Sequence, residues 1–175
     1  MTDCNFINNS AIIYPFEYSS YFSARIYGGA LFSYSVKHSL NCTNCVFIDN
    51  LVLISDNKEK EFAGAVYLTN GTFDSCIFKD NSAYNGGDIR YDQILNSRLT
   101  IKKCSFQYGL SKKHEIKSLI HIRTSSNISL PNLFTENKVA ININSYLFDG
   151  EIEQNPSTLK FKFNHNCMTP FNKAS

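Results

Sequence analysis

The chain has no tryptophan, two methionines, four prolines and eight glycines among its 175 residues. So little glycine and proline excludes collagen-like and proline-rich chains. No apolar run approaches the roughly 20 residues of a membrane-crossing helix. Charge of one sign is missing too: 17 basic against 15 acidic side chains leave a formal net charge of +2. That balance excludes a polyanion binder working by bulk charge. GxSxG, P-loop and HExxH signatures are absent, and His38, His114, His121 and His165 stand at no metal-ligating spacing. Lys102-Lys103 and Lys112-Lys113 read as solvated faces, not as a nucleic-acid site. What is present is apolar and aromatic: 43% hydrophobic residues, with 14 Phe and 10 Tyr. That content excludes a disordered tail, and the length suits one domain. Asparagine is frequent, at 20 residues.

Met1-Thr2-Asp3-Cys4-Asn5-Phe6 shows neither the basic nor the apolar stretch of a signal peptide. No lipidation or retrieval motif closes the chain. Two readings stay open here: a soluble intracellular protein, or a fragment of a longer secreted one. The six cysteines stand at 4, 42, 45, 76, 104 and 167. Cys42-Thr43-Asn44-Cys45 is a CxxC without the second pair that zinc needs. It also lacks the strand–CxxC–helix context of a redox site. No metal and no cofactor is expected. Four glycosylation sequons, at Asn8, Asn41, Asn70 and Asn127, are about the number that chance supplies.

A repeat carries the main signal. Cys4-Asn5-Phe6-Ile7-Asn8-Asn9, Cys45-Val46-Phe47-Ile48-Asp49-Asn50 and Cys76-Ile77-Phe78-Lys79-Asp80-Asn81 all read C-x-F-x-x-N. A fourth copy keeps Cys104 and Phe106 and ends on Gly109; a fifth keeps Phe134 and Asn137, with Asn132 for Cys. The intervals from one Phe to the next are 41, 31, 28 and 28 residues. Between the copies runs a second element: Gly28-Gly29-Ala30-Leu31-Phe32, Ala63-Gly64-Ala65-Val66-Tyr67 and Gly86-Gly87-Asp88-Ile89-Arg90. Weaker versions are Ser118-Leu119-Ile120-His121-Ile122 and Val139-Ala140-Ile141-Asn142-Ile143. One parity is apolar and the other mixed, the mark of strands with one buried face.

Units of this kind predict an all-β fold, a parallel β-helix of about four to five coils. Strands one coil apart lie ~4.8 Å from each other, so equivalent side chains stack. The expected ladders are Phe6, Phe47, Phe78, Phe106 and Phe134 with Cys4, Cys45, Cys76 and Cys104 on the same inward face. Asn9, Asn50, Asn81 and Asn137 are expected at turns, tolerating left-handed backbone and passing amide hydrogen bonds along the stack. Small inward thiols are expected to stay reduced. The repeats are expected over 1–143, with insertions at 12–27 and 51–62, and a last strand or C-terminal cap over 144–175.

Cys76 to Ile89, in which Cys76-Ile77-Phe78-Lys79-Asp80-Asn81 is followed by Gly86-Gly87-Asp88-Ile89, resembles the FxxN and GGA(I/L/V) repeats of chlamydial polymorphic outer-membrane proteins. Similar repeats occur in surface-protein families of some protists. Phe6 to Asn9 with Gly28 to Leu31 resembles another unit, stretched by an insertion. The resemblance covers about residues 4–143. It implies a right-handed β-helix at the cell surface or secreted, adhesin-like and non-enzymatic, with a host-cell or extracellular protein or glycan as partner. Asp88 departs from the family's Ala, later units lose the glycines, and the sequence carries no secretion signal, barrel or anchor.

Two candidate sites follow. Tyr14, Phe16, Tyr18, Tyr21 and Phe22 in the first insertion form either an apolar contact patch or a packing layer over the first coil, the latter being preferred. Asp88, Arg90 and Asp92 share one strand parity, expected on the exterior beside Ala65, Tyr67, Leu119 and His121. The alternative function, a polysaccharide lyase or glycoside hydrolase, would centre there, since such chemistry needs positioned acid and base groups. The preferred reading of the three is a surface ion pair. Met1 starts almost directly on a core strand, without an N-terminal cap, which points to a fragment with an open end. Open ends expose unpaired backbone. The recombinant chain is therefore expected to self-associate in analytical ultracentrifugation; clean monomeric sedimentation at high concentration would count against this.

Overall fold

The computed structural model describes residues 1–13, 26–35, 37–54, 61–83, 86–93, 97–107, 118–124, 134–140, 146–154 and 157–163. All the regular structure in them is strand, arranged chiefly in parallel sheets. Sheet I contains β5 (Leu40–Thr43), β10 (Gly71–Asp74), β13 (Leu99–Lys102) and β16 (Phe134–Thr135). Sheet II contains β1 (Asn5–Ile7), β6 (Val46–Ile48), β11 (Ile77–Lys79), β14 (Ser105–Gln107) and β17 (Lys138–Ala140). Sheet III contains β4 (Leu31–Ser33), β9 (Val66–Leu68), β12 (Ile89–Asp92), β15 (Ser118–Thr124) and β18 (Tyr146–Gln154). The last strand of sheet III, β19 (Ser157–Phe163), runs antiparallel against β18. Two further parallel pairs join β2 (Ser10–Ile13) to β7 (Leu51–Ile54) and β3 (Ile26–Tyr27) to β8 (Glu61–Phe62). No sheet closes on itself among the described residues.

From β4 onward the chain visits sheets I, II and III in constant rotation, and each strand pairs with its counterpart one unit away. The register follows the motif. Phe6 lies against Phe47, Phe47 against Phe78, and Phe78 against Phe106. Their rings stack at 4.9, 4.8 and 4.9 Å with planes within 6° of parallel. A straight parallel ladder keeps equivalent rings at one strand spacing, so like residues stack without a change of rotamer. Phe73 of sheet I meets this column edge-on, 5.4 Å from Phe78 and 6.3 Å from Phe47, and so joins the two sheets across the core. Sheet III adds Leu31, Val66, Ile89 and Ile120 in one row, and Leu68, Tyr91 and Ile122 in the next.

Three corners link the sheets, each with one residue in left-handed backbone. At the corner between sheets I and II these are Asn44, Ser75, Lys103 and Glu136, with Asp3 in the same place before β1. Asn8, Asp49 and Asp80 hold the corner after sheet II. Gly28, Ala63 and Gly86 hold the corner before sheet III. The left-handed residue is thus the one before the motif's asparagine, not the asparagine itself as expected. Gly64 is required by space: a Cβ there would lie 2.3 Å from the Gly87 carbonyl oxygen and 2.5 Å from the Ser82 nitrogen.

Two expectations fail at the last copy. Phe134 does not continue the Phe column; it pairs with Ile101 in sheet I, and Val139 lies against Phe106. Asn137 accordingly takes the place of the inward cysteine, not of the turn asparagine. The strand expected at Val139 to Ile143 in sheet III is also displaced. Val139 and Ala140 belong to β17, and β18 supplies the sheet III strand, with Phe148 in register with Ile120. Parallel pairing therefore runs on past residue 143. The cause is a shared spacing: Phe134 stands three residues before Asn137 as Phe73 stands three residues before Cys76, and it takes the same sheet I register.

Phe78 is covered by a ring on each side and from the edge. Phe78→Ala is expected to cost about 3–5 kcal/mol in urea unfolding followed by circular dichroism. Phe6→Ala, at the half-buried end of the column, is expected to cost less; equal losses would contradict the stacking account.

Candidate functional site

The outward row of sheet III changes chemistry at every step. Phe32, Tyr67, Arg90 and His121 lie in register on β4, β9, β12 and β15. Asp92, two residues beyond Arg90 on the same strand face, is held twice. Its Oδ1 accepts from Arg90 Nε at 2.6 Å, and its Oδ2 accepts from the Tyr67 hydroxyl at 2.8 Å. A carboxylate with two donors, one of them cationic, is fixed in place far better than a lone surface pair. Burial and the Asp92 charge push the Tyr67 phenol well above its ordinary value.

Aromatic residues collect on the β4 side of this pair. Tyr67 meets Tyr27 edge-on at 4.7 Å, Tyr27 lies 5.0 Å from Phe32, and Phe32 lies 5.3 Å from Tyr67. Phe32 keeps 54% of its surface exposed, and Tyr34, just past β4, keeps 62%. The sequence alone aligns Phe32 with Tyr67, at the same offset after Gly29-Ala30 and Gly64-Ala65, but gives no sign of the cluster. Tyr27, the last residue of the expected 12–27 insertion, carries no such signal.

The exterior position expected for Asp88 and Arg90 is corrected by their burial, at 0% and 4% exposure. Arg90 and Asp92 form the expected ion pair, but it is largely enclosed. Asp88 sits at the corner before β12, where its backbone bridges neighbouring units through Leu119 and Val66. Its carboxyl Oδ1 accepts from Asn81 Nδ2 at 2.8 Å, and burial raises its pKa well above the usual carboxylate range. So placed, Asp88 presents no surface to a substrate.

Asn81 belongs to a buried row of amides. Asn9 Nδ2 donates to Asn50 Oδ1 and Asn50 Nδ2 to Asn81 Oδ1, each at 2.8 Å. The same oxygens accept the backbone N–H of Asn9 and Asn50, while the Nδ2 groups of Asn50 and Asn81 donate back to the Phe6 and Phe47 carbonyls. Asn137 repeats that geometry at another corner, accepting from Cys104 N at 2.8 Å and donating to Ile101 O at 3.0 Å.

The thiols of Cys4, Cys42, Cys45, Cys76 and Cys104 are free, and all but Cys4 are buried. Burial above all, with the neighbouring Cys45 and Cys76, pushes the Cys42 thiol up to about 12. No group of three or more His, Cys, Asp or Glu side chains is arranged to hold a metal among the described residues. Tyr14, Phe16, Tyr18, Tyr21 and Phe22 lie outside the described residues. No helix among the described residues is long and apolar enough to cross a membrane. Compared with known proteins, the chain matches no family model, no curated protein and no solved structure.

Tyr67→Phe removes one donor from Asp92 and keeps the ring cluster. The expected loss is about 1.5 kcal/mol, the lower end for a hydrogen bond to a charged group, because the Asp92 side chain is 19% exposed. Thermal unfolding of the variant measures it; an unchanged midpoint would show the bond to be energetically idle.

Proposed function

We propose that the chain is a parallel β-helix scaffold of the adhesin-like kind, secreted or at a cell surface, that binds a protein or glycan without chemistry of its own. The β-helix reading is supported by the constant rotation through sheets I, II and III and by one-unit register in all of them. The observation that carries the binding reading is the aromatic cluster of Tyr27, Phe32 and Tyr67 beside the Arg90–Asp92 pair, with Phe32 and Tyr34 open to solvent. Exposed aromatic faces next to fixed polar groups suit contact with a sugar ring or an extended peptide. The enclosed position of Asp88 weighs against the polysaccharide-cleaving alternative, whose acid and base must reach substrate.

Binding of the chain to a glycan array and to a panel of extracellular-matrix proteins tests this. Phe32→Ser with Tyr34→Ser is expected to reduce capture at least tenfold while leaving the circular dichroism spectrum unchanged. Undiminished capture by that variant would move the binding face elsewhere. Glycan cleavage by the wild type that Asp88→Ala abolishes would replace the scaffold reading with the enzymatic one.

A further inference from the structure

The asparagine row ends on an acid. Asn9, Asn50 and Asn81 hand hydrogen bonds from unit to unit, and the last free amide N–H, on Asn81, goes to Asp88 Oδ1 at 2.8 Å. In the sequence, the copy at Cys104 has Gly109 where the other copies have asparagine. Asp88, at 0% exposure, supplies the missing acceptor. Its Oδ2 is equally buried and has no hydrogen-bond partner among the described residues. One neutral donor cannot offset the desolvation of a full carboxylate charge.

We propose that Asp88 closes the asparagine ladder as a neutral carboxylic acid and thereby makes the stability of the stack depend on protonation. Either form accepts from Asn81, but only the neutral form avoids placing a charge on an enclosed carboxyl whose Oδ2 has no partner among the described residues. From the corner after β11, the Asn81 amide donates a hydrogen bond that favours the charged form, while burial, the largest effect, and the Asp80 charge favour the neutral one. Along β12, Arg90 is joined to Asp92. On β15, Leu119 meets the Asp88 backbone, and His121 lies in register with Arg90. On β9, Val66 N donates to the Asp88 carbonyl.

The sign of the pH effect follows from linkage. An unfolded aspartate titrates near 3.9, and the folded one titrates higher. Between the two values the native chain holds one more proton than the unfolded chain. Stability from this group is therefore greatest below about pH 4 and falls as pH rises toward the folded value. One linked proton changes the unfolding constant by up to about tenfold per pH unit.

Urea unfolding of the wild type and Asp88→Asn, in steps from about pH 4 to 8, tests the proposal. The amide keeps the shape and the acceptor and cannot ionise. The wild-type unfolding constant, divided by that of the variant, is expected to rise with pH across the window; a ratio independent of pH would overturn the proposal. Infrared spectra of the native wild type decide independently, even if Asp88→Asn does not fold. The carbonyl stretch of a protonated carboxyl is expected in the native chain at pH above the ordinary aspartate value of about 3.9, and its absence there would overturn the proposal equally.

Discussion

Asn50 touches three levels of the structure with one side chain. Its oxygen takes the N–H groups of Asn9, and its nitrogen reaches the Phe6 carbonyl and the Asn81 oxygen. A corner in a parallel stack turns backbone groups away from the sheet ladders, and buried groups without partners are costly. The amide meets that need because it carries donors and an acceptor together. The register of the aromatic column depends on it. If the corner slipped by one residue, Phe47 would leave the interior and Val46 or Ile48 would enter, since side chains alternate faces.

The same need explains why unlike residues stand at equivalent corners. At the corner between sheets I and II, small thiols fill the inward position in three units, and Asn137 fills it in the last. At the corner after sheet II, Asn9, Asn50 and Asn81 stand in three successive units. Asp88 then takes the last amide N–H of the row from the adjoining corner.

How much of this was legible depended on how far residue identity, and not residue class, was fixed. The Phe column and the Cys row could be read because stacking rewards the same side chain at each level. The matching row in sheet I, made of Cys42, Phe73 and Ile101 with Phe134 in register, keeps only apolar character and spacing, so it left no repeated letter. That silence also misplaced Phe134 and Asn137, since Phe-x-x-Asn fits either corner. Arg90 and Asp92 were legible as partners because they share one strand face. Tyr27 was not, because β3 and β8 close the expected insertions at 12–27 and 51–62, where no repeated pattern aligns them. The burial of Asp88 was hidden for a similar reason: period-2 alternation says nothing about a residue at a corner, just outside its strand.

Inward and outward rows obey different rules, and the difference bears on what the fold can be used for. Inside, a change at one level disturbs both neighbours, so Phe6, Phe47, Phe78 and Phe106 are held to one type. Outside, Phe32, Tyr67, Arg90 and His121 share a register without sharing a chemistry. The sheet sets their spacing; Phe32 faces solvent, while Tyr67, Arg90 and His121 are covered. An exposed aromatic ring thus gives way to a fixed ion pair within three strands, over roughly 10 Å at about 4.8 Å per step. A ligand on those strands would meet the exposed Phe32 ring first and the partly exposed Asp92 carboxylate next. The proposed scaffold function rests on that combination, with specificity carried by the outward row and geometry by the column beneath it.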